Sequence, residues 1–95
     1  MTDMDVSWKL FATLREAAGE AEVVVSVVPG GTVADAFDAL LDRYPALEAE
    51  AFDGGDLRPH ISVVHNGVRV EDPLETEREV SRDDELALVP PMSGG

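Results

Sequence analysis

Cysteine is missing from this 95-residue chain. Disulfides, thiolate metal sites and iron–sulfur ligation by its own residues are therefore excluded. Basic side chains are scarce. A single lysine, Lys9, and six arginines face twenty Asp and Glu, for a formal net charge of -13. Such a surface repels nucleic acid and anionic membranes, so neither is expected as a partner. No apolar run approaches the roughly 20 residues of a membrane span. The acidic N-terminus also lacks a signal-peptide pattern, and a soluble, cytoplasmic protein is expected.

Constellations for chemistry are just as thin. His60 and His65 lie five apart without a third ligand at metal spacing, so a structural or surface role is expected and no metal site. Asp53-Gly54-Gly55-Asp56 lacks the length and ligand pattern of a calcium loop. Pro29-Gly30-Gly31-Thr32 has no following lysine and reads as a turn and helix cap rather than a phosphate cradle. No serine or histidine belongs to a recognisable nucleophile arrangement. The residues themselves give no reason to expect an enzyme or a permanently bound cofactor.

What is present is a foldable pattern. Hydrophobic residues make up 44% of the chain and fall in periodic runs, which argues against disorder despite the charge. A chain this short forms one domain that buries somewhat over about 60% of its unfolded surface. The acids are spread over every segment. That spread favours adaptation to concentrated salt, where a Debye length of about 3 Å at 1 M screens self-repulsion, over an acidic face built for one basic partner.

Val6 to Thr13 reads as a strand with Val6, Trp8, Leu10 and Ala12 toward the core and Phe11 outward. Leu14 to Ala18 reads as a helical turn closed by Gly19. Glu22 to Val28 is a valine-rich strand pairing antiparallel to the first. Thr32 caps the clearest helix, with Asp35 completing a weaker capping box and Val33, Ala36, Phe37, Leu40, Leu41 and Tyr44 on one face. Pro45 stops it, and Ala46 to Phe52 adds a short helix. His60 to His65 and Val68 to Val70 flank an Asn66-Gly67 hairpin turn. Glu71 to Asp84 is turn-like and acidic, anchored by Leu74 and Val80. Glu85 to Val89 is the last strand, economically placed parallel to the first. The sum is an α+β domain, a mixed sheet of four to five strands on one main helix.

Then the sequence ends distinctively. Pro90 and Pro91 cannot donate to a ladder and turn the chain out of the fold. From Pro90 to Gly95 the reach is at most about 20 Å. A tip without Cβ atoms threads a channel too narrow for side chains. With glycine near 7% of residues, two at a given terminus arise by chance in about 0.5% of chains, so Gly94-Gly95 beside the prolines reads as functional. Residues 1–89 are expected to form the domain and 90–95 an extended tail.

Leu10-Phe11-Ala12-Thr13-Leu14-Arg15-Glu16, the Thr32-Val33 helix start, Asn66-Gly67 and Asp84 through Gly95, ending Pro-Pro-Met-Ser-Gly-Gly, resemble the β-grasp, ubiquitin-like sulfur carriers. Its nearest members are the MoaD-type small subunit of molybdopterin synthase and the small archaeal modifier proteins, and the acidity resembles a haloarchaeal member. The resemblance implies that an E1-like enzyme uses ATP to adenylate the Gly95 carboxylate. A sulfur donor then gives a thiocarboxylate for the large synthase subunit, or a target-protein lysine gives an isopeptide bond. Gly94 supplies clearance, and Pro90, Pro91, Met92 and Ser93 supply reach. The long acidic segment Glu71 to Asp84 departs from that pattern without an evident role.

The body is then a docking handle. Phe11 and Val89 are expected on the helix-free face, joined by Val64 or Val68 according to hairpin register, as an apolar patch on an acidic surface. Lys9 is the one side-chain amine at which a self-linked chain could branch, although an ordinary outward strand role suits it too. A monomer is expected outside partner assemblies. The alternative from another class is a passive β-grasp interaction domain with an incidental Gly-Gly end.

Overall fold

The computed structural model describes residues 2–59 and 61–90. Its elements are β1 (Met4–Leu10), α1 (Ala12–Ala18), β2 (Glu22–Val27), α2 (Val33–Arg43), α3 (Pro45–Ala51), β3 (Phe52–Asp53), β4 (Asp56–Leu57), β5 (Ser62–His65), β6 (Val68–Arg69) and β7 (Glu85–Val89). Five strands form one sheet in the order β2-β1-β7-β5-β6, with β3 and β4 as a separate ribbon. β1 and β7 run parallel; β1–β2, β5–β7 and β5–β6 are antiparallel. This is the β-grasp architecture, with the last strand beside the first as expected.

Alternation sets the two faces. Val6, Trp8 and Leu10 of β1, Val23, Val25 and Val27 of β2, Val63 of β5, and Leu86 and Leu88 of β7 are all buried on the helix side. Against them pack Val33, Ala36, Phe37 and Leu40 of α2, one apolar stripe at three-and-four spacing. Trp8 fastens the layers: its ring lies 5.5 Å from Phe37, and its Nε1–H donates to the Ala36 carbonyl at 3.1 Å. That bond satisfies the one polar atom a buried indole brings with it.

The start of α2 is locally determined. Thr32 Oγ1 accepts from the Asp35 N–H at 3.2 Å, and Asp35 Oδ2 accepts from the Thr32 N–H at 2.9 Å, a complete capping box. Gly31 is needed for its size, since a Cβ there would collide with the Val27 side chain and sit 2.9 Å from the Val28 carbonyl oxygen. The acidic segment before β7 lies against this same helix start. Val33 N–H donates to the Arg78 carbonyl at 2.8 Å, and Val80 N–H to the Gly31 carbonyl at 3.0 Å. The first of these bonds uses a donor that a helix start leaves free.

Several boundaries differ from expectation. β1 begins at Met4, two residues before the expected Val6, because Met4 pairs with Val27. It ends at Leu10, so Ala12 is exposed in α1 rather than inward on a strand. Val28 falls outside β2 and is 59% exposed. The Asp53 to Asp56 loop is the tight turn of the β3–β4 ribbon. Of the two expected anchors, Val80 is buried at 3% exposure while Leu74 is 39% exposed.

The register makes a direct prediction. Leu88→Ala should cost about 2–5 kcal/mol in urea unfolding, because it opens a cavity in a central strand. Val24→Ala, on the other face of the sheet, should stay within about 0.5 kcal/mol. Equal costs would contradict the assigned faces.

Candidate docking face and tail exit

The helix-free face of the sheet is built by the residues that alternate with the core. One cross-strand row runs Glu22, Lys9, Ala87, Val64, Arg69; the neighbouring rows place Val24 beside Ser7 and Glu85, and Val89 beside Ser62. Ala87, Val64 and Val89 are half-buried, and Val24 is 47% exposed. Val64 and Val89 are diagonal neighbours on this face, close enough for side chains to meet. Lys9 stands among them, its Nζ 3.2 Å from Glu85 Oε1. Both partners of that pair are solvent-exposed, so it orients the amine more than it stabilises the fold.

Of the expected patch, Val89 and Val64 share the outer face of the sheet, and Phe11 directly follows β1. Phe11 is 45% exposed. It does not lie in a strand, as expected, but is the residue after β1, the N-cap of α1, with an extended backbone at φ -130° and ψ 150°. Leu10 points inward opposite Leu88, so the next extended residue points outward, level with Val89. Val68 is the correction. It sits directly opposite His65, whose ring is buried on the helix side, and directly opposed residues share a face. The hairpin register therefore selects Val64 and sends Val68 to the other side. Its 50% exposure reflects the edge position of β6.

The root of β7 is held by a cluster that the sequence reading missed. His65 is the one buried polar side chain among the described residues, at 5% exposure. Arg78 Nε donates to His65 Nδ1 at 2.7 Å, and His65 Nε2 lies 2.7 Å from Asp84 Oδ2. A guanidinium cannot give up its proton. Nδ1 is then the acceptor, and Nε2 donates to Asp84. Asp84 Oδ2 also accepts from Ser81 N–H at 2.7 Å, while Asn66 Oδ1 accepts from Glu85 N–H at 2.9 Å. Ser7 N–H donates to the Asp84 carbonyl at 3.0 Å, tying the cluster to β1. A signal was available: His65 occupies an inward phase of its strand, and an inward polar residue needs partners.

Burial pushes the Asp84 carboxyl up, but hydrogen bonds from His65, Asn66 and the Ser81 N–H outweigh it and hold the group below its ordinary range. Elsewhere, a cleft of about 350 Å³ lined by Asp56, Leu57, Asp72, Pro73, Leu74 and Glu75 contains none of the expected site residues. Pro90, half-buried, follows β7 directly. The remaining tail residues, Pro91, Met92, Ser93, Gly94 and Gly95, lie outside the described residues, as does His60.

Comparison with known proteins gives a consistent picture. The model of the ThiS family matches residues 8–95. The chain is 46% identical over 91 residues to small archaeal modifier protein 1 of Haloferax volcanii, covering 95% of this chain and all of that one. It is 28% identical over 94 residues to the molybdopterin synthase sulfur carrier subunit of Arabidopsis thaliana, covering 99% of this chain and 86% of that one. A crystal structure of the Haloferax volcanii modifier superposes with a TM-score of 0.84 at 44% identity, over 96% of this chain and 99% of that one.

The depressed Asp84 carboxyl predicts a pH effect of definite sign. Its contribution to stability is complete above the ordinary value of 3.8 and is lost as pH falls below that through the folded value. In urea unfolding from about pH 6 down to about pH 2, the wild type should lose stability more steeply than Asp84→Asn. Parallel curves would contradict the assignment.

Proposed function

The chain belongs to the ThiS family, and from that premise we propose that it is a ubiquitin-like carrier activated at the carboxylate of Gly95. The observation that carries this reading is the reach of the family match, which extends through the Gly94-Gly95 end. A carboxylate is a poor electrophile. An E1-like enzyme overcomes this when one carboxylate oxygen attacks the α-phosphorus of ATP, releasing pyrophosphate and leaving an acyl-adenylate with AMP as a good leaving group. ATP is thus the activating enzyme's substrate and not a resident cofactor of this chain.

Two fates follow from the one intermediate. Attack by a sulfide equivalent expels AMP and leaves a thiocarboxylate, the form a sulfur carrier presents to the large subunit of molybdopterin synthase. Attack by the amine of a target-protein lysine gives an isopeptide bond, the outcome for a modifier. Similarity to a sulfur carrier subunit supports the first, and the higher identity to an archaeal modifier supports the second. In both, the chain is substrate and subunit and brings no catalytic group. Phe11, Val64 and Val89 form the apolar contact with the partner, beside the point where β7 hands over to the tail. Lys9 lies on the same face, so a branch grafted there would compete with docking.

Deletion of Gly94 and Gly95 is expected to abolish both conjugates and molybdenum-enzyme activity in cells while leaving the urea midpoint unchanged. Survival of both activities would favour a passive interaction domain instead. Phe11→Ala should weaken binding to the activating enzyme by about 1–2 kcal/mol, measured by calorimetry with the full-length chain.

A further inference from the structure

Two neighbouring residues break local rules at the same corner. Phe11 is the N-cap of α1, yet its side chain makes no capping hydrogen bond and has no acceptor to offer. Ser, Thr, Asp and Asn are the residues that favour this position. Ala12, the first residue of α1, has φ +51°, the left-handed region that an L-residue with a Cβ avoids. Its methyl is exposed, so burial does not offset the strain.

The surroundings fix this corner tightly. Leu10 is buried, pairs with Leu88 and donates its N–H to the Ala21 carbonyl at 2.8 Å. Leu14 is fully buried only four residues later, and both Leu14 N–H and Arg15 N–H donate to the Phe11 carbonyl, at 3.1 and 3.3 Å. Three residues must therefore turn the chain from strand to helix between two core anchors. The sequence places there an exposed aromatic and a strained alanine, where a polar cap and a glycine would cost less. Strain kept without a local return is found where it serves a site.

We infer that Ala12 is a positioning residue for Phe11. Its left-handed backbone turns the chain off β1 immediately after Phe11, which holds the ring on the helix-free face level with Val89 and stops it from moving with a frayed strand end. This inference rests on the docking role proposed for Phe11, and the test separates the two.

The readout is ATP–pyrophosphate exchange by the E1-type adenylating enzyme of the source cell, with the full-length chain as the varied substrate. Ala12→Val, β-branched and poorly suited to positive φ, should raise the KM for the chain about tenfold with kcat nearly unchanged, because the Gly95 chemistry is untouched. Phe11→Ala should do the same. The double variant should be no worse than Phe11→Ala alone, since the two act through one ring. Ala12→Gly should raise the urea midpoint by relieving strain and leave KM near the wild-type value, because glycine adopts the same turn without cost.

A folded Ala12→Val with wild-type KM would overturn the inference, and so would additive effects in the double variant. Should Ala12→Val fail to fold, Ala12→Leu, also disfavoured at positive φ, replaces it with the same expected rise in KM. A lowered midpoint for Ala12→Gly, as for glycine in an ordinary helix, or a raised KM for that variant would overturn the inference. An unchanged KM for Phe11→Ala would sink the docking role itself.

Discussion

The insertion of β7 between β1 and β5 is the constraint from which the other features follow. A parallel neighbour on one side and an antiparallel one on the other satisfy its backbone along both edges. Leu86 and Leu88 fill the core beneath it. The strand cannot slip by one residue without exchanging those leucines for Ala87 and Val89. Its end is therefore fixed relative to the body, and Pro90 leaves from a defined point. On the proposed reading, a partner reaches the terminus by gripping the body. The outer face of β1, β7 and β5, half-buried over much of its length, is the grip proposed above.

The two faces of the sheet are built from different residues. The helix side holds the core, with the Trp8–Ala36 bond and the Phe37 ring joining sheet to α2. The other side carries Val64, Val89 and Phe11 amid a surface whose net charge is -13. On such a surface an apolar patch is costly to display, and a partner that covers it recovers that cost. The Arg78–His65–Asp84 chain plays a third part. It ties the acidic segment before β7 to the end of β5 and the middle of β1, so that this segment is fastened despite its charge.

Much of the fold was legible because it rests on local rules. The valine alternation of β2, the Thr32 cap, the Asn66-Gly67 turn and the inward Leu86 and Leu88 all agree with the three-dimensional arrangement. The failures lie where distant contacts decide. Alternation alone carries β1 through Ala12, but the packing of Leu14 forces a turn two residues earlier. Val68 could be assigned only once the hairpin register was known. Leu74 and Val80, apolar in an acidic run, both looked like anchors, yet of the two only Val80 is buried, its N–H donating to the Gly31 carbonyl. His65 was seen as a histidine without metal partners. Its actual partners, Arg78 and Asp84, are 13 and 19 residues away in sequence, a pairing that no motif encodes.

The central claim is chemical: a carboxylate oxygen of Gly95 becomes bonded to phosphorus and later departs with AMP. Isotope transfer tests it most directly. The chain, prepared with oxygen-18 in the Gly95 carboxylate, would be incubated with ATP, the adenylating enzyme and either a sulfide donor or a lysine acceptor. The account predicts label in the released AMP with either nucleophile. Label that stays wholly in the protein, or emerges only in inorganic phosphate, would contradict it.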